Sequence, residues 1–200
     1  MKLFFAAAAA LAFASVAALG SAPSAAADGI GKFSLLKEPK PVPQVEFLDA
    51  EERKIGLEAF RGKIVVLNLW ATWCAPCREE MPSLDRLQAK LGGPDLEVVA
   101  LSVDRGGLAK SKAFLDQLGA TNLRLYGDPS MKVLRLLGVP GLPVTIVIDR
   151  EGRELGRLLG TAEWDGPAAL GMLRRFMGQG ILPGAKTTGA LPPLQPTDRT

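Results

Sequence analysis

Cys74-Ala75-Pro76-Cys77 sits where one apolar pattern gives way to another of different period. Residues 64–70, Ile-Val-Val-Leu-Asn-Leu-Trp, form a continuous apolar run. That is the pattern of a strand buried on both faces. After the motif, Met81, Leu84, Leu87 and Leu91 recur at helical spacing over residues 76–91, until Gly92-Gly93-Pro94 stops the pattern. The first cysteine therefore lies at a helix start, where free N–H groups and the macrodipole favour an anion. A thiol there is expected to be acidified, and the thiolate is the reactive form. A bridge across two intervening residues closes a tiny ring and restrains the unfolded chain little. The pair reads as a redox dithiol rather than a structural staple.

Composition removes most competing chemistries. The 200 residues contain no His and only these two Cys. Ser-His and Cys-His nucleophile pairs, His-ligated zinc and a Cys₄ zinc site are excluded together. The formal charge is +3 and the longest basic run is Arg174-Arg175. No basic stripe for nucleic acid is present. No metal or other cofactor is expected.

Beyond the motif, strands and helices alternate. Strands are expected at 45–48, 64–70, 96–103, 123–126, 144–149 and 153–159, and helices at 76–91, 108–118, 131–137 and 167–177. Turns are expected at 49–53 and 60–63. Such alternation implies an α/β sheet with right-handed crossovers. The closing hairpin at 144–159 adds an antiparallel edge, making a mixed sheet.

The chain ends read differently. Lys2 precedes an apolar run over 3–19, broken by residues 20–24, and Ala25-Ala26-Ala27 forms a small-x-small cleavage site before Asp28. Residues 1–27 are expected to be a signal peptide or an N-terminal anchor. At ~1.5 Å per residue the run spans roughly 26 Å, slightly short of a ~30 Å hydrocarbon core. Pro39, Pro41 and Pro43 mark residues 28–40 as an extended linker leading to a domain at 41–178. Residues 179–200, with Pro183, Pro192, Pro193 and Pro196, read as a disordered tail.

Several neighbours of the dithiol are candidates. Glu80 follows Cys77 by three residues, on the same helix face, and could exchange a proton with it. By spacing alone it could equally be a solvated helix acid, as Glu79 is expected to be. Pro82 lies deep in the helix and is expected to kink it. Trp70 and Trp73 flank the motif, chiefly as packing. In Gly138-Val139-Pro140-Gly141-Leu142-Pro143-Val144-Thr145, a proline before a buried strand suits a cis bond. The residues alone do not choose between Pro140 and Pro143.

The stretch from Phe60-Arg61-Gly62-Lys63 through Trp70-Ala71-Thr72-Trp73-Cys74-Ala75-Pro76-Cys77-Arg78-Glu79-Glu80-Met81-Pro82 resembles the TlpA/ResA branch of exported thioredoxin-like proteins. Residues 141–152 are similar to that branch's second signature, and Gly160-Thr161-Ala162-Glu163-Trp164 is similar to the C-terminal part of TlpA. The likeness covers about residues 41–178. It implies a thioredoxin fold, with a central mixed sheet flanked by helices, an N-terminal β-hairpin and a central insertion around 108–126. It implies that Pro143 is the cis-proline facing a redox-active Cys74–Cys77 pair and that Glu80 is the active-site acid. Trp73, Ala75, Pro76, Leu142, Pro143 and Val144 become the expected substrate-binding residues. Ordinary thioredoxin has a buried Asp where this chain has Asn68, which fits Glu80 as the acid. Val144 stands where the branch more often has Thr.

The resulting expectation is a monomeric periplasmic thiol–disulfide oxidoreductase acting as a reductase, soluble after cleavage or tethered to the outer face of the inner membrane. The resemblance implies a membrane thiol reductase of the CcdA or DsbD type as electron donor. It implies apocytochrome c, or copper-site proteins of cytochrome oxidase, as substrates. Three rivals share parts of the pattern. A periplasmic oxidant would differ only in potential. A Cu(I)-binding assembly protein could use the two thiolates, though His and a Met-rich segment are lacking. A peroxiredoxin would need Thr three residues before its reactive Cys, where this chain has Ala71.

Overall fold

The structure, a computed structural model, describes residues 30–179. The expected signal segment 1–27 lies outside the described residues, as does the expected tail beyond 179. Eight strands form one sheet: β1 (Ser34–Pro41), β2 (Glu46–Leu48), β3 (Lys54–Gly56), β4 (Ile64–Trp70), β5 (Leu96–Ser102), β6 (Arg124–Gly127), β7 (Val144–Ile148) and β8 (Arg153–Leu159). Their spatial order is β1-β8-β7-β4-β5-β6-β2-β3. The helices are α1 (Ala75–Leu91), α2 (Leu108–Leu118), α3 (Lys132–Leu136) and α4 (Pro167–Gln179).

β4 and β5 are buried along their whole length, as their unbroken apolar sequences require. They pair in parallel from Ile64↔Leu96 to Trp70↔Ser102, with α1 as the crossover. β7 flanks β4 on the other side, antiparallel, with Val144 opposite Leu69 and Thr145 opposite Asn68. α1 continues through Pro82. It buries Met81, Leu84 and Leu87 completely, each contributing about 1.5–3 kcal/mol relative to exposure. α2 ends at Gly119, whose left-handed φ of 69° lets the chain turn back. α2 and β6 occupy the stretch expected as the central insertion, and β6 extends the parallel ladder beside β5.

β2 and β3 form the N-terminal hairpin, paired from Glu46↔Gly56 to Leu48↔Lys54. Tyr126 of β6 fastens it. Its ring meets Phe47 and Phe60 edge-on, with centroids 5.7 Å apart in each pair.

The linker expected over 28–40 needs correction. Ser34–Pro41 is β1, an edge strand antiparallel to β8. The final hairpin therefore does not end the sheet. An edge position explains the missed strand. Its residues are mostly exposed, so no apolar alternation marks them, and an edge tolerates Pro39 and Pro41 because one row of backbone groups has no ladder partner. β3, the second strand of the hairpin that the resemblance implies, has no place in the strands read from the residues themselves. At three residues it is too short for a periodic signal.

Asp85 ties α1 to the connection between α2 and β6. Its buried carboxylate accepts hydrogen bonds from Asn122 N (2.8 Å), Asn122 Nδ2 (2.8 Å) and Leu123 N (3.1 Å). Replacing it strands the N–H of buried Leu123 and removes the anchor of the exposed Asn122. Asp85→Ala is expected to lower stability by about 2–3 kcal/mol, read by urea denaturation, while disulfide exchange with a small dithiol is retained.

Candidate functional site

β4 delivers the chain to the start of α1 through a four-residue turn, 71–74, and that turn is tied down. Thr72 donates its N–H to Asp104 Oδ2 at 2.9 Å and its hydroxyl to Asp104 Oδ1 at 2.8 Å. Arg78 Nη1 reaches back to Thr72 O at 3.2 Å. Asp104 itself is buried and also accepts from the Ser102 and Ser111 hydroxyls at 3.1 Å. Burial pushes its pKa up, but the hydrogen bonds from Thr72, Ser102 and Ser111 outweigh it and hold the carboxyl below its ordinary range.

Cys74 is the N-cap of α1. Its Sγ accepts the Cys77 N–H at 3.3 Å, and its carbonyl accepts the Arg78 N–H at 3.2 Å. A thiolate at this sulfur would face the unsatisfied donors of the helix start. Pro76, in the first turn, sacrifices no helical hydrogen bond. Cys74 and Cys77 are joined as a disulfide, with Cα atoms 5.3 Å apart. Both sulfur-bearing residues are buried, whereas Ala75, Pro76 and Trp73 are exposed, Trp73 to 60%. A large apolar ring standing beside the disulfide gives an incoming chain something to pack on.

The antiparallel register of β4 and β7 brings residue 143 to the same sheet end as the motif. The Leu142–Pro143 bond is cis, which settles the choice between Pro140 and Pro143. Leu142 is half-buried, and Pro143 and Val144 are buried. Pro143 O accepts the N–H of Gly160 at 2.9 Å.

Glu79 and Glu80 separate cleanly. Glu79 is exposed, while Glu80 is 3% exposed beneath the motif. One carboxylate oxygen, Oε1, accepts the indole N–H of Trp164; the other, Oε2, has no partner among the described residues. The Ala162 backbone and the Asn68 side chain also reach the carboxyl. Burial pushes its pKa up to about 7, against the lowering influence of those three neighbours. Asn68 is wholly buried and donates Nδ2–H to Thr145 Oγ1 at 2.9 Å. The site thus carries one carboxyl that changes charge near neutral pH, one turn of helix from Cys77.

Sequence reasoning missed Trp164, Ala162 and Asp104 as parts of this site. Trp164 comes from the segment after β8, 84 residues from Glu80, and no local period reports such a contact. A lone Trp in a polar stretch was the one available signal.

Peroxide chemistry finds no support in the turn. Ala71 stands three residues before Cys74, and the Thr72 hydroxyl is committed to Asp104.

The AhpC/TSA family model matches residues 39–153. The thiol-disulfide oxidoreductase ResA of Bacillus thuringiensis is 35% identical over 121 residues, covering 60% of this chain and 69% of that protein. The thiol:disulfide interchange protein HelX of Rhodobacter capsulatus is 35% identical over 120 residues, covering 60% and 65% respectively. Among solved structures, a thiol:disulfide interchange protein DsbE from Chlorobium tepidum superposes with a TM-score of 0.63 at 30% identity, covering 72% of this chain and 100% of that one. With the Cys74–Cys77 disulfide capping α1 in a thioredoxin fold, the chain belongs to the AhpC/TSA family and is a thiol–disulfide oxidoreductase of the ResA type.

Proposed function

We propose that the protein is a periplasmic reductase of protein disulfides. Reduced Cys74 attacks one sulfur of a substrate disulfide, forming a mixed disulfide and releasing the other substrate sulfur as a thiolate. Cys77 then loses its proton to Glu80 and attacks Cys74 Sγ. The second substrate thiolate leaves, the substrate has gained two electrons, and the Cys74–Cys77 disulfide is restored. Trp73, Ala75 and Pro76 on one side, and Leu142, Pro143 and Val144 on the other, form the substrate groove.

The observation that carries this reading is the buried Glu80 carboxyl, one helical turn from Cys77, with burial holding its pKa at about 7. A group poised near ambient pH accepts and returns a proton with little penalty either way. The resemblance to the TlpA/ResA branch supports the rest. A membrane thiol reductase of the CcdA or DsbD type re-reduces the dithiol. The substrates are haem-site cysteines of apocytochrome c or copper-site cysteines of cytochrome oxidase or its assembly factor. Export is supported by the leader-like residues 1–27 and by a structural relative described as an exposed lipoprotein thioredoxin of Streptococcus pneumoniae, 29% identical with a TM-score of 0.57. No described helix is long and apolar enough to cross a membrane.

The reduction potential against glutathione separates reductase from oxidant. A value well below that of the glutathione pool is expected; a value near −120 mV, about that of a strong oxidant, would reverse the direction. Alkylation of the reduced protein near neutral pH is expected to label Cys74 far faster than Cys77. Glu80→Gln is expected to slow reduction of a model disulfide by roughly 10²-fold or more at neutral pH and to flatten its pH profile, with Glu79→Gln as the unaffected control. A profile that Glu80→Gln leaves unchanged from pH 5 to 9 makes Glu80 a structural acid.

Burial of Glu80 also has a stability consequence. Its folded pKa, about 7, lies above the unfolded value near 4.5. The folded state therefore holds the proton more tightly, and stability falls as pH rises from ~4.5 through ~7. In the oxidised protein, Glu80→Gln is expected to be more stable than the parent at pH 8, by up to about 3 kcal/mol, and nearly equal to it below pH 4.5. Urea denaturation at the two pH values measures the difference.

A further inference from the structure

The segment following β8 touches both halves of the site. Gly160, whose φ of +100° favours glycine, donates its N–H to Pro143 O at 2.9 Å. Two residues later the Ala162 backbone reaches the Glu80 carboxyl, and Ala162 O accepts from Ser83 Oγ at 3.3 Å. Trp164 donates its backbone N–H to Ser83 Oγ at 3.2 Å and its indole N–H to Glu80 Oε1. Asp165 then holds Arg86 at 2.8 Å and Lys90 at 2.9 Å. Residues 80, 83, 86 and 90 follow one stripe of α1. The strap is thus pinned along the helix that carries the dithiol, with the wholly buried Trp164 ring as its anchor.

An indole nitrogen only donates. Trp164 therefore commits one oxygen of Glu80 to accepting, and its hydrogen bond favours negative charge there. The other oxygen, Oε2, is buried and makes no hydrogen bond among the described residues, so charge on it is less stabilised than on Oε1. It is the more basic of the two and carries the proton in the neutral acid. Asn68 lies against the same carboxyl. With its Nδ2 given to Thr145, its buried Oδ1 also lacks a donor. Among the described residues no charged side chain opposes or assists: the groups bearing on the carboxyl are Trp164, Ala162 and Asn68, with Cys77 one turn up α1. The charges nearby on the strap and α1 pair among themselves, Arg86 with Glu163 and Asp165, and Lys90 with Asp165. Glu79 and Arg78 are exposed.

We propose that Trp164 is a positioning residue for disulfide exchange: its indole N–H holds Oε1 of Glu80 and leaves Oε2 as the oxygen that exchanges a proton with Cys77. The proposal rests on the reading of Glu80 as the proton carrier. It gives the strap a role in the chemistry, since the same segment, through Gly160, also bonds Pro143 of the cis-proline loop.

The test compares the wild type with Trp164→Phe, which keeps a buried aromatic ring and loses the donor. Benzothienylalanine incorporated at position 164 replaces the ring N–H by sulfur and serves if Phe disturbs folding. The Glu80 titration is followed by ¹³C NMR of glutamate-labelled oxidised protein, the resonance being assigned by its loss in Glu80→Gln. Removing one hydrogen bond to the ionised form is expected to raise the Glu80 midpoint by about one pH unit. The pH–rate profile for reduction of a model disulfide is expected to move by the same amount, and no shift should remain when Trp164→Phe is made in the Glu80→Gln background. An unmoved resonance overturns the proposal, as does a rate loss that is equal at all pH values and persists in the Glu80→Gln background. If the resonance moves while Glu80→Gln leaves the rate profile unaltered, the reading of Glu80 itself falls, and the proposal with it.

Discussion

The packing of β4 between β5 and β7 sets the position of everything else in this molecule. β4 is buried along its whole length, so its register with each neighbour is strongly specified. The parallel ladder to β5 requires a crossover, and α1 is that crossover; its first turn must therefore begin close to the end of β4. The antiparallel ladder to β7 places residue 143 at the same end. One rigid strand thus fixes the helix that presents two sulfurs and the loop that carries the cis-proline. The turn between strand and helix is short and braced by Asp104, so the geometry of Cys74 is inherited from the sheet rather than from a mobile loop.

The second constraint is electrostatic. A carboxyl at 3% exposure resists ionisation, because its charged form loses water that the protein does not fully replace. Three neutral hydrogen-bonding neighbours, Trp164, Ala162 and Asn68, offset part of that loss, and the balance falls near neutral pH. A cation in their place would hold the group ionised, and a fully apolar surround would hold it protonated. The site instead keeps a carboxyl with a pKa of about 7 one helical turn from Cys77, without His, of which the chain has none. A stability that falls as pH rises through about 7 is the expected physical counterpart of that arrangement.

Much of this was legible in the chain. The continuous apolar runs gave β4 and β5, the 3–4 spacing gave α1, and Gly119 closed α2 where a left-handed residue was needed. These elements are buried or capped locally, so their sequences carry their periods. β1 and β3 were not legible. One is an exposed edge carrying two prolines that owes its extended form to β8, far away in sequence, and the other spans three residues, too few for a periodic signal, in a local hairpin with β2.

The site divides along the same line. The sequence alone determined the dithiol at a strand-to-helix junction, the lack of any competing nucleophile pair, and an acid three residues beyond Cys77. Those are matters of residue type and short spacing, which the helix period converts directly into neighbourhood. Only the tertiary structure decided that Glu80 is buried and Glu79 exposed, that the cis bond precedes Pro143 and not Pro140, and that Trp164 lies against the acid. Each of those depends on what a distant segment covers. Burial and desolvation are properties of the packed chain, and no local pattern encodes them.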